Sequence, residues 1–304
     1  MAYILTPENK TLLEKWVKGT YTIDEQGFVN VKGCVIIKEY DCEALPIKFG
    51  EVTIHFQSEN NNFITLSGFP KSVYYNFVCS HCKLTSLIGG PEYVGGNYDC
   101  SNNCLTSLVG IAKEIGGSFN CSNNQLTLID GAPERIGKDF ICNNNSITSL
   151  DGMSQKIHSV NCDNNLLTSL KGCPNHLVTL LCRNNQLTSL EGCPEKITWF
   201  DCSKNKLLSL DGVKLSRCCT FNCAYNELVS LKGSPKLVFG DFDCSNNKLT
   251  SLEGAPKRVG RYFRCQKNLK QFTIEEVEQN CEVKDIDGVF YYRGSERRGG
   301  IKVV

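Results

Sequence analysis

The residues of this 304-residue chain that could do chemistry are above all its 19 cysteines, joined by only four histidines. One group resembles a known kind of site. Cys79 and Cys82 form a C-x-x-C pair with His81 between them, and Cys100 and Cys104 follow about one repeat later. Two such pairs are how proteins hold tetrahedral zinc. Spacing gives these residues a different explanation. Cys79, Cys100, Cys121, Cys142, Cys162, Cys182, Cys202, Cys223, Cys244 and Cys265 recur every 20 or 21 residues. That interval is a structural period, and with an odd total it is no disulfide framework. It accounts for Cys79 and Cys100 as interior residues of a repeat, so neither a metal nor a cofactor is expected.

The other reactive types are scattered. His55, His81, His158 and His176 fall in different slots of the repeat, and no serine or cysteine nucleophile has a histidine and a carboxylate in a neighbouring turn. Glycines recur singly and never as a phosphate-cradling loop before a helix. No catalytic residue is predicted, and the chain is read as a non-enzyme. Cys173, Cys193, Cys218 and Cys219 are expected in the returns between strands, where a Cys173–Cys193 bridge is conceivable but disfavoured in a reducing compartment.

Thirty-three basic side chains against 32 acidic ones leave a net charge of +1, which argues against a nucleic-acid partner. No apolar run approaches the roughly 18 residues of a membrane span, and the N-terminus lacks a secretory pattern. A cytoplasmic protein without membrane contact is expected.

Aligned on the periodic cysteine, residues 119–126 (FNCSNNQL) and 242–249 (FDCSNNKL) are near copies. One turn reads F-x-C-x-x-N-x-L-x-x-L-x-G-x-P. Three places after the cysteine stand Asn103, Asn124, Asn145, Asn165, Asn185, Asn205, Asn226, Asn247 and Asn268. Ten places after it stand Gly89, Gly110, Gly131, Gly152, Gly172, Gly192, Gly212, Gly233 and Gly254.

This unit resembles the leucine-rich-repeat family, whose signature L-x-x-L-x-L-x-x-N/C-x-L it matches with cysteine in the third apolar slot. The family also accepts cysteine where this chain has asparagine, which covers Cys82. The C-S-N-N-x-L-T-S-L-x-G-x-P form is further similar to repeat proteins common in tailed bacteriophages. The resemblance implies a right-handed superhelical solenoid with a parallel β-ladder on its concave face and short irregular convex returns.

Elementary physics leads the same way. A 20-residue unit cannot bury its own apolar face and must stack on copies of itself. Phe and Cys, two apart, place both side chains inward from a short strand, and strands of successive turns pair in parallel. Each Asn is predicted to turn its amide inward to backbone groups stranded where the chain bends. The Gly allows a backbone angle that a Cβ resists, and the small thiol suits a tight interior.

About twelve turns are expected over residues 34–271. Ser58, Asn61, Phe63, Leu66, Gly68 and Pro70 match one early turn, and Ile37, Cys42, Leu45 and Pro46 match another more loosely. Residues 1–33 form an N-terminal helical cap, starting at Thr6-Pro7-Glu8 with an apolar stripe of Leu12, Leu13, Trp16 and Val17. Residues 272–304 form a C-terminal cap and tail: a helix with Thr273 and Glu276 as capping box, a hairpin from Val283 to Tyr292 turning at Asp287-Gly288, and a loop over residues 294–300 before a last strand.

With the interior assigned, the residues flanking Phe and Cys point outward along the ladder, where solenoids bind partners. In early turns they are mostly small and polar. From Leu181 onward they include Arg183, Trp199, Asp201, Lys204, Tyr225, Asp241, Asp243, Tyr262 and Arg264. Aromatic and arginine side chains beside carboxylates are the composition of an interaction hot spot, although a solvated polar face has the same composition. The expected function is a protein-binding scaffold. Given the phage resemblance, its partner would be a host protein bound and inhibited in the infected cell; a virion-associated or adhesin component is the alternative.

Overall fold

The computed structural model of the chain describes residues 5–283, so the expected Asp287-Gly288 hairpin and the loop at 294–300 lie outside it. Two compact units account for it: Met1–Ile147 with Asp151–His158, and Thr148–Leu150 with Ser159–Val304.

The N-terminal unit begins as its sequence requires. Thr6 is the N-cap of α1 (Pro7–Trp16), its hydroxyl accepting from the Asn9 N–H at 3.2 Å, and Pro7 takes the first turn, where no N–H is needed. Leu13 and Trp16 are buried. The cap is more than this helix. β1 (Val17–Ile23) and β2 (Val29–Ile36) form an antiparallel hairpin closed by Asp24, whose Oδ1 accepts from the N–H groups of Gln26 and Phe28. The helix expectation did not include this hairpin. Its signal is the alternation of Val29, Val31, Gly33 and Val35, which are buried on one face.

From β2 the chain turns parallel. Val35 stands opposite Phe56, Phe56 opposite Phe77, Phe77 opposite Tyr98, Tyr98 opposite Phe119 and Phe119 opposite Phe140. The C-terminal unit repeats the arrangement through Val160, Leu180, Phe200, Phe221, Phe242 and Phe263. Each unit is a parallel-ladder solenoid of leucine-rich-repeat design, with six rungs apiece and about twelve turns between them. The Phe and Cys of each turn are inward and buried, as their period of two dictates. Fully burying one such ring is worth about 2–3 kcal/mol, and a single turn has no surface of its own on which to do it.

A second, shorter ladder runs through the residues before the Phe. In the N-terminal unit it joins Val52, Val73, Val94, Ile115 and Ile136. In the C-terminal unit it joins Cys218, Val238, Val259 and Val283. Cys218 is therefore an inward strand residue, not a return residue as its spacing had suggested. The two ladders merge in two turns and stay apart in others, Cys218 and Phe221 being split at Cys219 although they are three apart. Leu177 and Leu180, or Ile197 and Phe200, are three apart, and one six-residue strand (His176–Leu181, Lys196–Asp201) passes through both. Ile115 and Phe119 are four apart, and the extra residue breaks the strand at a Gly-Gly bend. A Cβ on Gly116 would lie 2.1 Å from the carbonyl oxygen of Gly95 in the preceding turn, so the bend packs too closely for a side chain.

The asparagines do what the sequence predicts. Asn124 donates from Nδ2 to the carbonyl oxygens of Cys100 and Cys121 at 3.1 Å, and its Oδ1 accepts from the Leu105 N–H at 3.0 Å. Asn103, Asn205, Asn226 and Asn247 repeat the pattern. The thiols add a donor of their own: Sγ of Cys182, Cys223 and Cys244 each lies 3.3 Å from a carbonyl oxygen of the following turn. The periodic glycines, Gly89 to Gly254, all have positive φ between 80 and 96°. A feature the consensus did not announce is a second left-handed residue two places after each cysteine, from His81 through Asn123 to Lys267, at φ of 53 to 57°. Among residues with a Cβ asparagine tolerates that conformation best, which explains the first Asn of the S-N-N triplet.

The loosely matched first turn departs from the rest. Tyr40 occupies the asparagine slot, packed edge-on to Trp16 with ring centroids 4.9 Å apart, and Cys42, in the first leucine slot, is exposed. At the C-terminal end Thr273 and Glu276 form the predicted capping box of α2 (Ile274–Asn280), which buries Val277 while Ile274 remains exposed.

Candidate protein-binding face

The candidate face lies wholly within the C-terminal unit. Because Leu180, Phe200, Phe221, Phe242 and Phe263 point inward, the residues on either side of them point out in two rows. One row runs Thr179, Trp199, Thr220, and the other Leu181, Asp201, Asn222, Asp243, Arg264. Asp241 and Tyr262 extend the first row by the same spacing. Trp199 is 46% exposed although it sits on a strand between two paired neighbours.

The structure sorts the ten candidate residues into different roles. Asp241, Tyr262 and Arg264 come together. An Arg264 guanidinium nitrogen lies 3.5 Å from Asp241 Oδ2, and the guanidinium stands over the Tyr262 ring at 4.9 Å. Arg261, which sequence reasoning passed over because it lies outside the Phe-x-Cys strand, joins them. It stands 5.6 Å from the same ring and 4.0 Å from Asp241 Oδ1. Arg183 pairs with Asp163, its Nε 3.8 Å from Oδ2. Burial pushes the Asp163 carboxyl above the usual range, opposed by a backbone hydrogen bond from Arg183 and by its charge.

Asp201 and Asp243 serve the scaffold. Asp201 Oδ1 accepts from the Ser203 N–H at 2.9 Å and Oδ2 from Asn222 Nδ2 at 3.0 Å, and Asp243 Oδ1 accepts from the N–H and hydroxyl of Ser245. Asp99 and Asn120 hold the equivalent turns of the N-terminal unit, so this slot selects for turn closure as well as for surface. Lys204 and Tyr225 are not strand residues. They occupy the left-handed slot after the cysteine, with the Lys204 ammonium 5.7 Å from the Tyr225 ring. Leu181 is half-buried opposite Asp201.

One aromatic cluster was missed. In the N-terminal unit, expected to be bland, Tyr74, Tyr75 and Tyr93 are 48, 60 and 44% exposed, with Tyr93 edge-on to Tyr74 and His55 edge-on to Tyr75. The signal was available: Tyr74-Tyr75 stands where the next two turns carry Gly-Gly.

The cysteine constellation resolves into scaffold parts. Cys82 takes the asparagine's place, its Sγ 3.2 Å from the Ser58 carbonyl oxygen and 3.6 Å from that of Ser80. Among the described residues no three metal-ligating side chains converge, and the cysteines are not joined in disulfides. Burial pushes the Cys79, Cys100, Cys121, Cys182, Cys202, Cys223 and Cys244 thiols well above their ordinary value, so they stay protonated at neutral pH. Among the described residues no helix is long and apolar enough to cross a membrane.

No family model and no curated protein matches the chain. Among solved structures it is similar to YopM from Yersinia enterocolitica WA-314, at 16% identity over 77% of this chain and 73% of that one, with a TM-score of 0.43. It is also similar to YopM, a leucine-rich effector protein from Yersinia pestis, at 18% identity over 75% of this chain and 76% of that one, with a TM-score of 0.42.

Proposed function

We propose that this chain is a non-catalytic scaffold that grips a protein partner through the outward rows of its C-terminal unit, with Trp199 and the Asp241–Tyr262–Arg264 cluster as anchors. The observation that carries this reading is the pairing of an exposed Trp199 with a guanidinium-flanked Tyr262 on one rigid ladder. Large aromatic groups held at low entropic cost supply most of the energy in protein interfaces. Leu181, Arg183, Lys204 and Tyr225 form the surround, while Asp201 and Asp243 chiefly hold the turns that present it. The likeness of the C-S-N-N-x-L-T-S-L-x-G-x-P unit to repeats of tailed bacteriophages supports a viral setting. There the partner is a host protein in the cytoplasm, which binding inhibits.

The test is affinity capture from bacterial lysate with the intact chain and with a Trp199→Ala/Tyr262→Ala variant. A protein retained by the first and lost by the second, with unchanged circular dichroism, supports the reading. Equal retention overturns the assignment of the anchors. Recovery of the chain in purified virions would replace a host partner with a structural role.

A further inference from the structure

The second ladder of the C-terminal unit carries more cations than acids on its exposed side: Lys196, Arg217, Lys236, Lys257 and Arg258 against Glu195 and Glu282. Its exposed column runs His176, Lys196, Arg217, Leu237 and Arg258 and ends on Glu282, which stands in register with Arg258. His176 is in register with Lys196, Arg217 with Leu237, and Leu237 with Arg258, while Lys196 and Arg217 meet at one groove. The residues just before Leu237 and Arg258 are Lys236 and Lys257, also exposed. Among the described residues none of Lys196, Arg217, Lys236, Lys257 or Arg258 has a carboxylate within ion-pair distance. The same column of the N-terminal unit is built differently: Glu114 pairs with Arg135 at 3.6 Å, and beside it Lys113 pairs with Glu134 at 3.9 Å. Like charges on adjacent strands destabilise a sheet, so this excess of cations is a cost the alternating column avoids.

Beside this row lies a groove of about 390 Å³, lined by Leu177, Ile197, Cys218 and Phe239, with Lys196, Arg217 and one acid, Glu195, also in its wall. Phe239 is 43% exposed and Leu237 37%. The groove forms where the continuous strand Lys196–Asp201 gives way to the split strands Arg217–Cys218 and Thr220–Asn222, so the fold itself opens it.

We infer that this groove and its basic row bind an acidic protein segment bearing an apolar side chain between its carboxylates. The apolar residue enters between Leu177, Ile197 and Phe239, and the carboxylates meet Lys196, Arg217 and Arg258. Rungs of a parallel ladder are roughly 4.8 Å apart, so Lys196 to Arg258 spans about 15 Å, which an extended peptide covers with four or five residues. A nucleic-acid strand fits less well, because Leu237 interrupts the cations with an aliphatic side chain that offers a phosphate nothing. This surface is separate from the rows of Trp199 and Tyr262, and its probe is a synthetic peptide and not the captured partner, so either assignment can fail alone.

The experiment follows fluorescence anisotropy of a labelled twelve-residue peptide of Asp and Glu with one central Leu, titrated with the full chain. The expected result is saturable binding that weakens as salt rises. The charge reversal Lys196→Glu/Arg217→Glu/Arg258→Glu weakens it about tenfold or more, one decade being about 1.4 kcal/mol. The neutral set Lys196→Gln/Arg217→Gln/Arg258→Gln weakens it less, and Lys113→Glu/Lys171→Glu/Lys232→Glu leaves it unchanged. Phe239→Ala weakens binding of the Leu peptide but not of its Leu-to-Ser counterpart. No binding, binding indifferent to the reversal, or equal binding of a single-stranded oligonucleotide of the same charge would overturn the inference.

Discussion

The side-chain amide of Asn205 reaches the carbonyl oxygen of Cys182, one full turn back, at 3.0 Å. The same nitrogen also meets the carbonyls of Cys202 and Ser203, while Oδ1 accepts from the Leu187 N–H at 3.0 Å. One buried amide thus satisfies backbone groups of two turns. Replacing it by Asn205→Leu keeps the volume and strands the Leu187 N–H, while the Cys182 carbonyl keeps the Asn185 amide at 3.1 Å. For one stranded group the loss is about 1–3 kcal/mol. Urea unfolding reads it directly, and a loss under about 0.5 kcal/mol would mean that the amide is not what ties the turns.

The buried thiols make stability depend on alkali. Burial pushes Cys265 up to about 11 and Cys193 and Cys218 up to about 12, and drives the fully interior thiols well above the ordinary value of 9.0. Above about pH 9 the unfolded chain therefore loses protons that the folded chain keeps, and the free energy of unfolding falls as pH rises. Below that pH the thiols contribute no slope. The urea midpoint should be level across pH 7 to 8.5 and drop steadily from pH 9 to 11; a midpoint still level at pH 11 would contradict this account.

Thiol reactivity should follow exposure. Cys42 is exposed, Cys34, Cys104 and Cys219 are intermediate, and the other 15 are buried. A chromogenic disulfide reagent at pH 8 should modify Cys42 first and those three more slowly, with the remainder reacting only in denaturant. Fast stoichiometric labelling of Cys202 or Cys223 in the folded chain, located by peptide mapping, would show that the interior opens freely.

The left-handed slot gives a pair of opposite effects. Tyr225 is held at φ of 55° and Asn246 at 53°. Tyr225→Asn should stabilise the chain by up to about 1 kcal/mol, and Asn246→Ala should destabilise it by about 1 kcal/mol, because a side chain branching to a plain Cβ meets the following carbonyl in that conformation. Paired urea curves decide the matter, and like-signed shifts would show that side-chain contacts outweigh the backbone.

What the sequence made legible was whatever repeats. The inward Phe and Cys, the bonding of Asn124 and its equivalents, and the capping box at Thr273 all follow from period and chemistry that one turn shares with the next. The hairpin of β1 and β2 was not legible, since it occurs once and its Val29-x-Val31 alternation is easily merged with the first repeat. The candidate face was half legible. Trp199 and Tyr262 were identifiable by outward position, but Asp201 and Asp243 looked like surface charges when their oxygens are bonded to Ser203 and Ser245. Arg261 belongs to the Tyr262 cluster only through spatial proximity that no spacing rule expresses. The basic row was hidden by the chain's near-zero net charge, which averages the paired column of one unit with the unpaired column of the other.

The backward reach of each asparagine gives each solenoid unit a direction. Within a unit the turns lean on their successors for a donor: Asn61 serves the turn of Ile37, the Cys82 thiol that of Ser58, and Asn268 that of Cys244. At the front edge Tyr40 stands in the slot, so that end offers nothing for a further turn to borrow. At the rear, the turn of Cys265 is the one that would accept an amide from an added neighbour. Lengthening such an array by duplication is therefore asymmetric: a copied turn can be appended behind without altering what precedes it, whereas one placed in front needs Tyr40 to become asparagine first.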